Sequence, residues 1–189
     1  RHQASDMELP ASLDDPLAHA PAYLRHMQQI AAEEQRGWVS PFGATDPELV
    51  KEAIAATYGT IEFIDHAVGE IVAAIDRLGQ LDNTIVVFTS DHGDMMGEHG
   101  LMTKGFMPFC GTQHVPLVVA DPRRAPGRSA SLASSIDLAP TLLELCAVDG
   151  HDGMQGRSLA PILDDATVAV RDHVLIEDDL RTSTAARAR

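Results

Sequence analysis

The sequence predicts an α/β fold, a mostly parallel sheet covered by helices on both faces. Three observations point there. Two apolar runs, Thr84–Ser90 and Val115–Ala120, are continuous and rich in β-branched residues instead of alternating with polar ones. That is the pattern of strands buried on both faces. A long segment with apolar residues every three or four positions precedes the first run, as helices alternate with strands in such folds. Finally, the first run stops abruptly at Asp91-His92, and charged side chains at the carboxyl end of a strand are how these sheets present a site.

Residues 1–16 are polar, contain prolines and show no period, so they read as irregular. Residues 17–36 suggest a helix interrupted near Pro21, followed by a loop from Gly37. The next helix has a full set of start signals: Asp46 or Thr45 as cap, Pro47 in the first turn and Glu48 near the positive end of the dipole. Ile54, Tyr58, Ile61, Val68, Ile71, Ile75 and Leu78 form its core stripe, and Gly79 supplies a left-handed stop. The turn Leu81-Asp82-Asn83 leads into the first strand. After the second strand, residues 121–131 read as a surface loop, with Arg123, Arg124 and Arg128 on its solvated face. Asp137 is expected to cap a helix through Leu145. Residues 149–158 form a Gly-rich loop, Val174–Glu177 is a candidate third strand, and the tail after it looks frayed. No repeat or linker divides the chain, so one domain is expected, with residues 1–44 as its lead-in.

Composition narrows the function. A net charge of −14 argues against a nucleic-acid partner, which would demand a basic face. No apolar run has the length of a membrane span. The two cysteines, Cys110 and Cys146, are too few for a disulfide framework. Cys110 reads as a small apolar filler and Cys146 as core. An acidic protein that handles an anion must concentrate positive charge locally, by a metal, a lysine or a helix N-terminus.

Residues 91–104 meet that requirement. Asp91 offers a carboxylate oxygen suited to calcium, magnesium or manganese, and the His92 imidazole widens the choice toward transition metals. The alternative is that Asp91 caps the turn and His92 bonds a carbonyl. Lys104 is one of only two lysines in the chain. It is suited to hold an anionic group as a point charge and to polarise a leaving oxygen, against the alternative of an ordinary surface lysine. His99 is a candidate pocket-lining residue or general acid, with a loop-stabilising hydrogen bond as the plainer role. Asp94 and Glu98 read as solvated loop carboxylates, with an extension of the metal shell as the alternative. Gly93, Gly97 and Gly100 suit a loop folded tightly around a site. His114 either points toward the same cleft or packs structurally.

Taken together, these pieces resemble the C-terminal half of the sulfatase family within the alkaline phosphatase superfamily. The resemblance rests on the run from Tyr58 through Asp65-His66 and Leu78-Gly79 to Asp82–Gly93. It also rests on Gly97-Glu98-His99-Gly100 with Lys104, on Gly111–Val119, and on Ser135–Leu143 with Gly156–Leu159 behind it. It covers most of residues 45–180. Position by position, it implies that Asp91 and His92 are two ligands of a divalent metal, usually calcium, and that Lys104 binds sulfate, with His99 in the same loop. It further implies a nucleophile that is a hydrated formylglycine, made from the Cys or Ser of a Cys/Ser-x-Pro-x-Arg motif.

No such motif occurs in this sequence, and the Asp14-Asp15 doublet follows no strand and lies in the wrong part of the pattern. The expectation is a fragment that begins after the nucleophile-bearing half, which it would need as a partner, and that is inactive alone on a small-molecule or carbohydrate sulfate ester. A phosphonate monoester hydrolase or phosphodiesterase on the same scaffold is the alternative enzyme. A metal- and anion-binding relative without catalysis is the alternative from another class. A Rossmann-like nucleotide binder is disfavoured, because no Gly-x-Gly-x-x-Gly turn follows a predicted strand.

Overall fold

The computed structural model describes residues 2–33, 46–104, 108–176 and 186–187. The expected loop after Gly37 and Thr45 as an alternative cap lie outside the described residues. The chain divides into two compact units, residues 1–81 with 88–117, and residues 82–87 with 118–189.

In the first unit, α1 (Ala22–Glu33) begins directly after Pro21. Helix α2 (Pro47–Arg77) is capped by Asp46, whose side chain accepts from the Glu48 amide at 2.9 Å. It ends at Gly79 with φ +66°. Strand β1 (Val86–Thr89) emerges at the unit boundary. Beyond it the chain folds back as a loop to α3 (Cys110–Gln113). Leu17, Leu24, Met95 and Leu101 make the buried cluster, with Ala20, Tyr23 and Phe109 against it. The loop bearing the candidate site is therefore packed on the lead-in segment and α1.

The expected stripe on α2 is only partly buried. Val50 and Ala55 are covered, but Tyr58, Ile61, Ile71 and Leu78 are between 49% and 72% exposed. The two strands expected to be buried are also open: Phe88, Leu117 and Val118 are exposed. Strand β2 (Leu117–Ala120) pairs with β1 in a sheet of two. With one partner each, these strands have no further described strand on either side to cover them.

In the second unit, Ser134 and Asp137 form a capping box around the turn Ser135–Asp137, which runs into α4 (Leu138–Leu145). Ser134 is thus the cap, and Asp137 is its reciprocal partner inside the first turn. Asp137 is fully buried. It accepts from the Ser134 and Arg157 amides at 2.8 Å each and pairs with the Arg171 guanidinium. A short helix, α5 (Ala160–Asp164), was not expected. Strand β3 (Leu175–Ile176) pairs antiparallel with β4 (Ala186–Arg187), so the tail expected to fray contributes two residues to a ladder.

Arg123 and Arg124 are not merely a solvated face. Both pair with the buried carboxylate of Asp121, Arg123 also donates to the Leu145 carbonyl at 2.9 Å, and Arg124 reaches Asp164 at 2.7 Å. The hydrogen bonds from Arg123, then those from Arg124, hold the Asp121 carboxyl well below the usual carboxylate range. Cys110 and Cys146 are both exposed, against the expectation of apolar filling. Cys146 falls at the C-cap of α4, one residue past its buried end.

Candidate active site

The site begins where β1 runs out. Past the strand, Gly93 has no room for a side chain: a Cβ there would lie 1.9 Å from the Gly111 carbonyl oxygen. The Gly93 amide donates to the Thr112 carbonyl at 2.8 Å, which binds the loop to α3. Glu98 accepts from the Gly111 amide at 3.1 Å, and Asp94 accepts from the Met96 amide at 3.0 Å. These two acids, expected to be solvated, instead hold the loop closed on itself.

The three groups expected to share a locus do so. His92 donates from Nδ1 to the Gly93 carbonyl at 2.8 Å, which leaves the lone pair on Nε2. The Lys104 ammonium donates to that Nε2 at 2.8 Å, across twelve residues of loop. Asp91 Oδ2 lies 3.6 Å from the same nitrogen. The Asp91 carboxyl is held below its ordinary value, chiefly by the hydrogen bond it accepts from the His92 amide. The arrangement is a carboxylate, an imidazole lone pair and an ammonium on one patch of surface. An oxygen and a nitrogen donor side by side fit a divalent cation. Among the described residues no group of three or more His, Cys, Asp or Glu side chains is placed to hold a metal. Asp91 and His92 are two donors of that kind, side by side.

His99 is engaged elsewhere. Its Nδ1 meets Asp15 Oδ2 at 3.0 Å, its ring stacks on Phe109 with centroids 4.2 Å apart, and its backbone is left-handed at φ +54°. His114 is exposed. Sequence reasoning missed Asp15, Ser12, Gln28 and Phe109 as partners of this loop. Asp15 lies 84 positions from His99, and no local pattern marks a pairing at that distance.

A strand that runs out into this loop, in a mixed helix–sheet chain, fits the alkaline phosphatase-like α/β fold. The comparisons agree. The chain superposes on the phosphonate monoester hydrolase of Agrobacterium radiobacter with a TM-score of 0.77 and 28% identity, covering 96% of this chain and 37% of that one. An arylsulfatase from Clostridium perfringens is 35% identical over 137 residues, 70% of this chain and 28% of the relative. An N-acetylglucosamine-6-O-sulfatase from Bacteroides thetaiotaomicron is 36% identical over 107 residues, 56% of this chain and 19% of the relative. Residues 14–148 match the model of the Sulfatase family, and the chain belongs to that family. It spans less than a third of the length of these two curated relatives. Among the described residues, no helix is long and apolar enough to cross a membrane.

Proposed function

We propose that this chain is part of one sulfatase-type domain, with residues 45–180 as its core match, in a protein that hydrolyses sulfate esters of small molecules or carbohydrates. The observation that carries the proposal is the convergence of the Asp91 carboxylate, the His92 Nε2 and the Lys104 ammonium on one patch; a cation bound at Nε2 would take the lone pair that Lys104 holds and free the ammonium for the oxyanion. Asp91 and His92 would hold a divalent metal, with calcium preferred over magnesium or manganese. Such an ion would supply Lewis-acid polarisation of the ester. Lys104 grips the same oxyanion and offsets the charge that develops on it. With Nδ1–H donated to the Gly93 carbonyl, the neutral ring of His92 has its lone pair on Nε2, the nitrogen offered for ligation. His99 lines the pocket. The nucleophile, a formylglycine in this family, comes from outside these residues, so the chain alone is expected to be inactive.

The alternative is a phosphonate monoester or phosphodiester substrate, favoured by the TM-score of 0.77 to a phosphonate monoester hydrolase. Both kinds of ester present an anionic, tetrahedral centre to a lysine and a metal. The test is the full-length protein assayed side by side on an aryl sulfate, an aryl phosphonate monoester and a phosphodiester. Greater kcat/KM on the sulfate is expected, and a reversed order supports the alternative. Activity on none of the three would point to a relative that only binds.

A further inference from the structure

We propose that Thr103 is a positioning residue, whose left-handed backbone delivers the Lys104 ammonium to the Asp91–His92 patch and so sets how tightly a sulfate-type oxyanion is held there. The inference deepens the hydrolase reading and rests on it. Thr103 directly precedes Lys104 and has φ +61°. The left-handed region costs free energy for any residue with a side chain, and a β-branched one is among the least suited to it. Gly97 and Gly100 take positive φ in the same loop at no such cost.

What holds Thr103 there is the closure of the loop. The Met95 amide donates to the Thr103 carbonyl at 2.7 Å, and the Gly97 amide donates to the Leu101 carbonyl at 2.8 Å. Met95 and Leu101 are fully buried and pack with Leu17 and Leu24. The segment 95–103 is therefore pinched at its base and anchored within. A costly backbone conformation persists where its surroundings over-determine it, and these contacts do so. His92 enters the pinch three residues before Met95, and Lys104 leaves it one residue after Thr103. Rotation about the N–Cα bond of Thr103 sets both where its carbonyl points and where Lys104 departs. At the observed φ the carbonyl meets the Met95 amide, and Lys104 Nζ lies 2.8 Å from His92 Nε2. An ordinary negative φ would displace both. Lysine is a point charge on a flexible four-carbon stem, so its backbone is the part that can be fixed in advance. A charge preorganised in this way stabilises an oxyanion more than one that must first be brought into place.

The test uses the full-length protein loaded with calcium, with inorganic sulfate titrated by calorimetry and an aryl sulfate assayed alongside. Thr103→Pro fixes φ near about −65° and forbids the left-handed conformation, whereas Thr103→Gly permits it. Thr103→Pro is expected to weaken sulfate binding about 10-fold or more and to lower kcat/KM as far as Lys104→Ala does, with metal content unchanged. Thr103→Gly should stay near the wild type. Adding Thr103→Pro to Lys104→Ala should cost nothing further, a result that general damage to the loop would not give. Wild-type sulfate affinity in Thr103→Pro would overturn the proposal, and so would a full further loss in the double variant. Should the proline variant fail to fold, a sulfate-bound crystal structure of the full-length wild type decides: Thr103 at negative φ with Lys104 still on the anion would overturn the proposal. If Lys104→Ala bound sulfate as tightly as the wild type, the oxyanion reading would fail instead, and the φ of Thr103 in that structure would still decide the placement.

Discussion

At the scale of single residues, the arrangement around His92 Nε2 makes separable demands. Replacing Asp91 with Ala removes a metal donor, so the full-length protein is expected to lose bound metal, measured by atomic emission, together with activity. Replacing Lys104 with Ala removes only the ammonium. Metal should stay, while kcat/KM falls about 100-fold or more, because a preorganised charge on the reacting group is gone. Unchanged kinetics for the Lys104 variant would return that side chain to the surface. Asp121 gives a pH-dependent case. Its pKa is depressed by Arg123 and Arg124. Its stabilising contribution is therefore complete above the ordinary carboxylate pKa of about 4 and is lost as pH falls through the depressed value. The gap in Tm between wild type and Asp121→Asn should be widest near neutrality and should close on acidification below about pH 4. A gap independent of pH would show that the ion pairs do not titrate with folding.

At the scale of elements, Asp137 is where a local motif becomes a structural joint. Its carboxylate completes the turn at Ser134, takes the Arg157 amide and pairs with Arg171, whose side chain is 10% exposed. Removing one partner of a buried pair leaves the other charge uncompensated. Asp137→Ala should therefore cost about 3–5 kcal/mol, read by denaturant unfolding. A loss under about 1 kcal/mol would mark the pair as solvent-like. The ends of these elements were legible because their signals are local: Asp46-Pro47 at the start of α2, Gly79 at its end, and the apolar run leading to Asp91-His92. The close pairing of Asp91, His92 and Lys104 was also legible, since all three lie in one short loop. What could not be read was anything joining distant segments. Asp15 with His99 and Arg171 with Asp137 depend on tertiary approach, and an acid doublet looks the same whether it meets a histidine or solvent. Burial was overread for the same reason. Periodicity reports which face of a helix is apolar, not whether anything lies against it.

At the scale of the whole molecule, the apolar stripe of α2 and the open faces of β1 and β2 belong together as a physical problem. Tyr58, Ile61, Ile71 and Leu78 on the helix, and Phe88, Leu117 and Val118 on the strands, leave water in contact with surface of core composition. Apolar area of this kind favours association or dye binding. The 189-residue chain alone is expected to bind a hydrophobic dye such as ANS and to self-associate in sedimentation, and the full-length protein to do neither. A monodisperse chain without dye binding would show that the stripe is tolerated in water. The α/β class survives this comparison, because the superposition on a solved hydrolase covers nearly all of the chain.

The exposed thiol of Cys110 offers a practical opening. It precedes Gly111, whose amide is tied to Glu98 and whose carbonyl abuts Gly93. With Cys146 changed to Ser, a maleimide fluorophore would attach at a single point beside the reactive loop. Its emission would then follow cation loading and oxyanion capture in real time, without a chromogenic ester and before any catalytic turnover is established.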